Sequence, residues 1–316
     1  MSRLELMKSF VLVLASTSLL FLLGVAIPFV GVLLVPLVPQ PVLAFGLRHG
    51  KANGIGLLAV GAVLLWFFGG KVLGLGFGFL ALMVILLYGA LDRGWSIEVV
   101  VAGPATGLLA AVSGILLFLF GSLAQARAAI GAALKENLEL SLRVYEQIGF
   151  SPQGMEVLRE RAPQVTELVL QILPAFAFVA FAVILLLNLF FLQRRFPNRE
   201  LFVAGGNLRE WKSPESLVWC FIVAGFALFL PAWQTLKGLA LNLFLVIAAF
   251  YFFQGLAIVA YYFHRKNVPF FLRSLAYVLI IFEQLLTLLV VGLGLFDLWG
   301  DFRRLKKKDL NPSQAS

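Results

Sequence analysis

Apolar runs of bilayer length, separated by short polar breaks, occupy most of the chain. A spanning helix needs about 20 mostly apolar residues. Runs of that kind lie near 9–27, 29–47, 53–69, 72–91, 98–121, 168–193, 215–234, 238–262 and 272–298. The second holds Pro36, Pro39 and Pro41 and follows Pro28; each proline removes a backbone donor and breaks the helical ladder. It reads as a broken or re-entrant segment, so the pattern predicts eight or nine spans. No small-residue cleavage site clearly follows the first run, which is therefore expected to stay as an uncleaved span.

One long polar stretch, 122–167, interrupts the series. Its first half is rich in Ala, Leu, Glu, Arg and Gln, all strong helix formers. Ile130, Leu134, Leu138, Leu142, Tyr145 and Ile148 recur every three or four positions, marking the apolar face of an amphipathic helix. Gly149 is expected to end that helix, and Ser151-Pro152 to open a second with an N-cap and a first-turn proline. The stretch carries five Lys/Arg against six Asp/Glu, which argues against a polybasic lipid-binding arm. A helical hairpin, lying on the membrane, docking a partner or simply connecting two blocks, fits. The expected organisation is an N-terminal transmembrane block (1–121), this polar insertion (122–167), a C-terminal transmembrane block (168–304) and a basic, polar tail (305–316).

Composition makes the membrane reading firm. Hydrophobic residues are 61% and charged residues 13%, with mean hydropathy +0.97, against about 45–50% and 25% in globular domains. So much apolar surface, 31 Phe included, needs lipid as its solvent. Soluble enzymes, secreted disulfide scaffolds and disordered tails are excluded. The fold class is all-α, a polytopic transmembrane bundle with a central amphipathic helical insertion. The net charge of +9 points to headgroup anchoring rather than nucleic acid, because Lys and Arg gather at the ends of apolar runs. The basic clusters are Arg194/Arg195/Arg199, Arg265/Lys266/Arg273 and Arg303–Lys308. One span separates the last two, which puts them on opposite faces and nearly ties the vote on orientation, and the densest, at the C-terminus, favours a cytoplasmic C-terminus.

Chemistry-bearing side chains are few. Cys220 is the one cysteine, and His49 and His264 sit beside basic residues at segment ends, so no metal site or cofactor is expected. A Gly-x-Gly-x-Gly pattern at Gly74, Gly76 and Gly78 stands among Leu and Phe at membrane depth, where small residues serve helix packing rather than phosphate binding. Gly103, Gly107 and Ala111 form a small-residue ridge at four-residue spacing, suited to a close helix contact within the fold or with another subunit. Glu283 and Gln284 fall mid-run in the last span, with Gln254 and Asn242 in the span before and Asn188 in the sixth. An unpaired charge there costs at least a few kcal/mol, so Glu283 is expected to point inward, protonated or paired. With Gln284, Gln254 and Asn242 it makes a candidate ligand site or, alternatively, a set of interhelical hydrogen bonds. No catalytic residues are identified: no Ser–His pair, His/Asp/Glu cluster or facing carboxylates stand within the spans.

The last span ends in Gly292-Leu-Gly-Leu-Phe-Asp-Leu-Trp-Gly-Asp-Phe-Arg-Arg304. On an unbroken helix Asp297, Asp301 and Arg304 share one face, with Arg303 beside them, and Phe296, Trp299 and Phe302 form an interfacial aromatic girdle. This ending, with the preceding FFQGLAIVAYYF, the early PLVPQPVLAFGLRHGKANG and the central polar insertion, resembles the YybS-like family of bacterial inner-membrane proteins. The resemblance implies a fold similar to the substrate-binding S-components of energy-coupling-factor vitamin transporters. That wider group also includes the rod-shape protein MreD, which acts as no transporter.

Two functions are open on these grounds. The first is a small-molecule binding or transport subunit of the bacterial inner (cytoplasmic) membrane, its ligand unidentified. Its ATPase or transmembrane partners would be supplied by other chains, since no phosphate-cradling Gly-x-x-x-x-Gly-Lys-Ser/Thr loop is present. The second is a membrane scaffold or assembly factor for envelope or division proteins, resting on 122–167 and the Gly103/Gly107/Ala111 ridge. An enzyme is not expected.

Overall fold

The computed structural model describes residues 3–149, 151–196, 211–230 and 234–303. Among them every regular element is a helix. In chain order these are α1 (Arg3–Ala26), α2 (Pro28–Leu34), a 3-10 turn (Val35–Leu37), α3 (Pro39–His49), α4 (Lys51–Gly69), α5 (Lys71–Asp92), α6 (Ile97–Phe120), α7 (Leu123–Gln147), α8 (Pro152–Arg195), α9 (Leu217–Ala227), α10 (Gln234–Arg265), α11 (Phe270–Phe282) and α12 (Gln284–Gly300). Seven helical stretches are long and apolar enough to cross a membrane, and the bent pair α11–α12 makes an eighth.

Two of the expected spans take an altered form. Among the described residues of the run 215–234, Leu217–Ala227 form the 11-residue α9, about 16 Å at 1.5 Å per residue and so shorter than a hydrocarbon core. The run 272–298 breaks at Glu283, where the axes of α11 and α12 differ by 100°. The proline-rich second run, expected to be broken or re-entrant, changes helix type at the 3-10 turn between α2 and α3, yet Gly31–His49 stays one helical stretch long enough to span. α8 runs unbroken through residue 167 for 44 residues, so the second arm of the polar insertion is a continuation of the span that follows it.

The chain packs as two compact units, residues 1–108 with 180–211 and residues 109–179 with 212–316. Two of the three borders fall inside α6 and α8 rather than at the ends of the insertion, and the third lies between residues 211 and 212.

In the first unit α3, α4 and α5 bury Leu43, Leu57, Leu58, Phe77 and Leu87. The Tyr88 hydroxyl donates to the carbonyls of Val42 (3.0 Å) and Leu43 (3.2 Å). A Cβ on Gly46 would run into its ring, with Tyr88 Cζ 2.9 Å away. Broken backbone is tied down from α8: buried Asn188 donates through Nδ2 to the carbonyl of Pro36 (2.8 Å), and Gln40 donates through Nε2 to Asn188 Oδ1 (3.0 Å). Such bonds matter because lipid offers no partner to a loose carbonyl.

In the second unit the predicted hairpin forms. Ser122 Oγ accepts from the Gln125 amide (3.2 Å), Gly149 turns the chain with φ 80°, and Ser151 Oγ accepts from the Gly154 amide (3.2 Å). Ion pairs Arg127–Glu167 and Arg159–Glu146 join the two arms. Further along α8, Pro174 lacks the amide that would serve the carbonyl of Leu170. Beside it Asn242 of α10 engages both Ala175 N–H (2.8 Å) and Gln171 C=O (2.7 Å), groups that an unbroken helix pairs with each other. The side-chain amide thus splices α10 into a weakened turn of α8.

Candidate functional site

Polar groups of the second unit collect where α10 crosses α12. The two backbones touch: a Cβ on Gly255 would collide with the Val290 carbonyl, and one on Gly294 with that of Tyr251. Only hydrogen side chains allow this approach, and it brings Gln254 of α10 within reach of Asp297 of α12. Gln254 Nε2 donates to Asp297 Oδ2 (3.1 Å), and Gln254 Oε1 accepts from the backbone amide of Ser213 (3.1 Å) and from its hydroxyl. Gln254, Asp297, Ser213 and Arg303 are all buried.

Arg303 arrives by a turn, which corrects the expectation that Asp297, Asp301 and Arg304 line one helical face. α12 stops at Gly300, and Asp301 takes a left-handed conformation (φ 37°), its amide bonded to the Asp297 carbonyl (3.1 Å). That reverses the chain, as left-handed helix caps do. The Phe302 amide then donates to Asp297 Oδ1 (2.9 Å) and Arg303 Nη2 to Asp297 Oδ2 (2.8 Å). The Tyr262 hydroxyl closes the turn by donating to the Phe302 carbonyl (2.7 Å). Arg304 lies outside the described residues.

Asp297 therefore accepts three hydrogen bonds, from Gln254, Phe302 and Arg303. Most of its lone-pair capacity is filled, and the cluster is a lock rather than an open site. One turn before Gln254 the hydroxyl of fully buried Tyr251 has no hydrogen-bond partner among the described residues. Lys212 Nζ lies 4.0 Å from Glu215 Oε1 beside Ser213. Ser213, Tyr251 and Tyr262 escape a sequence reading, because nothing local distinguishes them from other loop serines or apolar-face tyrosines.

The remaining candidates lie elsewhere. Glu283 and Gln284 stand at the break between α11 and α12, exposed on the protein surface and not gathered with Gln254. Inward orientation of Glu283 is thus not what is observed. The residue is extended (φ −93°, ψ 111°), and the Thr287 hydroxyl donates to the Ile280 carbonyl (2.5 Å), covering a backbone group that the break releases. Around Glu283 the surface is apolar, with Ile281, Phe282 and Leu285 exposed. Asn242 spends Nδ2 on the carbonyls of Gln171 and Gly238 and Oδ1 on the Ala175 amide.

The small-residue ridge is partly used. Gly107 packs under Leu86, whose Cδ1 would be 3.0 Å from an added Cβ, Gly103 faces open space, and Ala111 is half-buried. Two of the three glycines in the α5 pattern serve helix contact: an added Cβ on Gly74 would lie 2.7 Å from Trp66 Cα and one on Gly76 3.1 Å from Phe21 Cζ, while Gly78 faces open space. Between the hairpin arms a cleft of about 490 Å³ is lined by Lys135, Glu139, Arg143 and Arg159 over Leu138 and Leu142. Among the described residues no three His, Cys, Asp or Glu side chains gather as a metal ion would require.

Compared with known sequences, residues 15–298 match the family described as Predicted membrane protein (DUF2232). No curated protein and no solved structure matches the chain.

Proposed function

Since the chain belongs to the DUF2232 family of predicted membrane proteins and is an integral membrane protein, we propose that it is a small-molecule binding or transport subunit with no ATPase of its own. The observation that carries this reading is the 100° break of an apolar span centred on Glu283 and Gln284. Non-helical backbone at membrane depth is tolerated where it lines a cavity or is covered by protein, and transporters use such breaks to present helix ends and polar groups to solute and ion. An exposed carboxylate among Ile281, Phe282 and Leu285 calls for a proton, a cationic or hydrogen-bonding ligand, or a partner chain. Placed at the start of α12, it also sits at the favourable end of that helix dipole.

The resemblance to YybS-like proteins and S-components supports the same reading, with the bacterial inner membrane as its place and an energising ATPase on other chains. Small molecules released from the purified protein test it. Glu283→Gln should lose a compound that the native protein retains, with the spans still inserted. Unchanged retention in the folded variant removes Glu283 from the site.

A second reading, a membrane scaffold for envelope or division proteins, is favoured by the α7–α8 hairpin, whose second arm grows directly out of a span. Deleting 123–166 should then abolish co-purification of protein partners. Partners retained without the hairpin count against it.

A further inference from the structure

The first unit carries its cations at one end. The start of α1 brings Arg3 and Lys8, the α3–α4 junction Arg48 and Lys51, the end of α5 Arg93, and the end of α8 Arg194 and Arg195. Contacts hold these places together. Phe10 of α1 packs edge-on against Phe45 of α3 at 6.1 Å, Lys51 pairs with Asp92, and the Arg48 guanidinium stands 5.5 Å from the Phe196 ring. The opposite end is marked by the Phe21–Phe77 contact (5.4 Å) and the turn at Gly70, and there Lys71 is the one Lys or Arg among the described residues of this unit. Glu5, Asp92 and Glu98 also belong to the cationic end, but carboxylates weigh little in membrane orientation.

Rings accompany these charges. Arg48 lies over Phe196, Arg93 over Trp95 at 4.8 Å, and Arg194 over Phe190 at 4.2 Å. A cation laid on an aromatic ring at a helix end suits the headgroup layer, with the ring toward the hydrocarbon and the charge among phosphates. Helix ends in general would place solvated charge on both sides alike; here, among the described residues, the two sides differ by seven Lys/Arg to one.

We infer that this end of the first unit is its cytoplasmic surface, seated on the anionic phospholipid headgroups of that leaflet. Short loops rich in Lys and Arg stay on the cytoplasmic side, and the negative surface potential there holds them. The near-tie in the linear sequence lies between the clusters Arg265/Lys266/Arg273 and Arg303–Lys308, both of the other unit, and does not enter this count. Among the described residues of the first unit there is no tie.

Cysteine labelling tests the sidedness. Cys220 is exposed, so the background is the full chain with Cys220→Ser, expressed in a bacterial host. In spheroplasts a membrane-impermeant maleimide should label Lys71→Cys. It should reach Ala52→Cys and Ser96→Cys only after the membrane is opened. Labelling at 52 or 96 from outside overturns the assignment. Native mass spectra of protein mixed with phosphatidylglycerol or phosphatidylcholine test the headgroup contact. Phosphatidylglycerol should be retained several-fold better, with the preference falling in the Arg48→Gln/Arg93→Gln/Arg194→Gln variant. Equal retention of the two lipids overturns the headgroup seat.

Discussion

The Arg303 guanidinium lies 2.8 Å from the Asp297 carboxylate with both side chains withdrawn from the surface. Neither charge reaches water, and the turn at Asp301 exists to bring them together. A buried pair of this kind is worth little over a well-packed apolar pair, yet losing one member strands the other. Asp297→Ala or Arg303→Met alone should therefore cost about 3–5 kcal/mol. The double variant should recover much of that loss. Thermal unfolding in a mild detergent reads both, and a double variant as damaged as the sum of the singles would contradict the pairing.

Gly294 and Gly255 set the distance at which α10 and α12 cross. Overpacking usually costs about 1–3 kcal/mol, and more is expected of Gly294→Ala because its Cβ meets backbone oxygen rather than a movable side chain. Gly103→Ala is the control. Its Cβ meets nothing within 4 Å, and replacing a mid-helix glycine gains up to about 1 kcal/mol. Melting temperatures should move in opposite directions.

Asn188→Leu is close in size and removes the donor that serves the Pro36 carbonyl. Pro36 is half-buried, so leaving its carbonyl unmet should cost up to the roughly 1–3 kcal/mol of a fully buried acceptor. Loss of stability, with faster proteolysis in the α2–α3 segment than in the native chain, is the expected outcome.

Glu146→Gln makes the opposite case. Its partner Arg159 is 61% exposed, so water and salt already screen the pair, and less than about 1 kcal/mol should be lost. A larger shift, or one that survives high salt, would show that the hairpin depends on this bond.

Much of the fold is legible because hydrophobic period and helix punctuation are local properties. Gly149 with Ser151-Pro152 marks a helical hairpin, which forms, whereas Pro36, Pro39 and Pro41, read as marking a broken segment, produce only a 3-10 turn within the stretch Gly31–His49. The bend at Glu283 carries no such mark, since no proline or glycine lies near Ile280–Leu286. The lock is harder still. Gln254 and Asp297 are 43 positions apart, and they meet because Gly255 and Gly294 let two backbones touch. Spacing alone puts Asp301 on a continued helix. The left-handed turn there, after Gly300, sends Arg303 back to Asp297 instead.

Native mass spectrometry of the intact protein, extracted gently from its own membrane, tests the solute-binding reading most directly. A reproducible small-molecule adduct on the native chain, absent from Glu283→Gln, is the predicted result. Stoichiometric protein partners without any adduct, lost on deleting 123–166, would contradict it and leave the scaffold in its place.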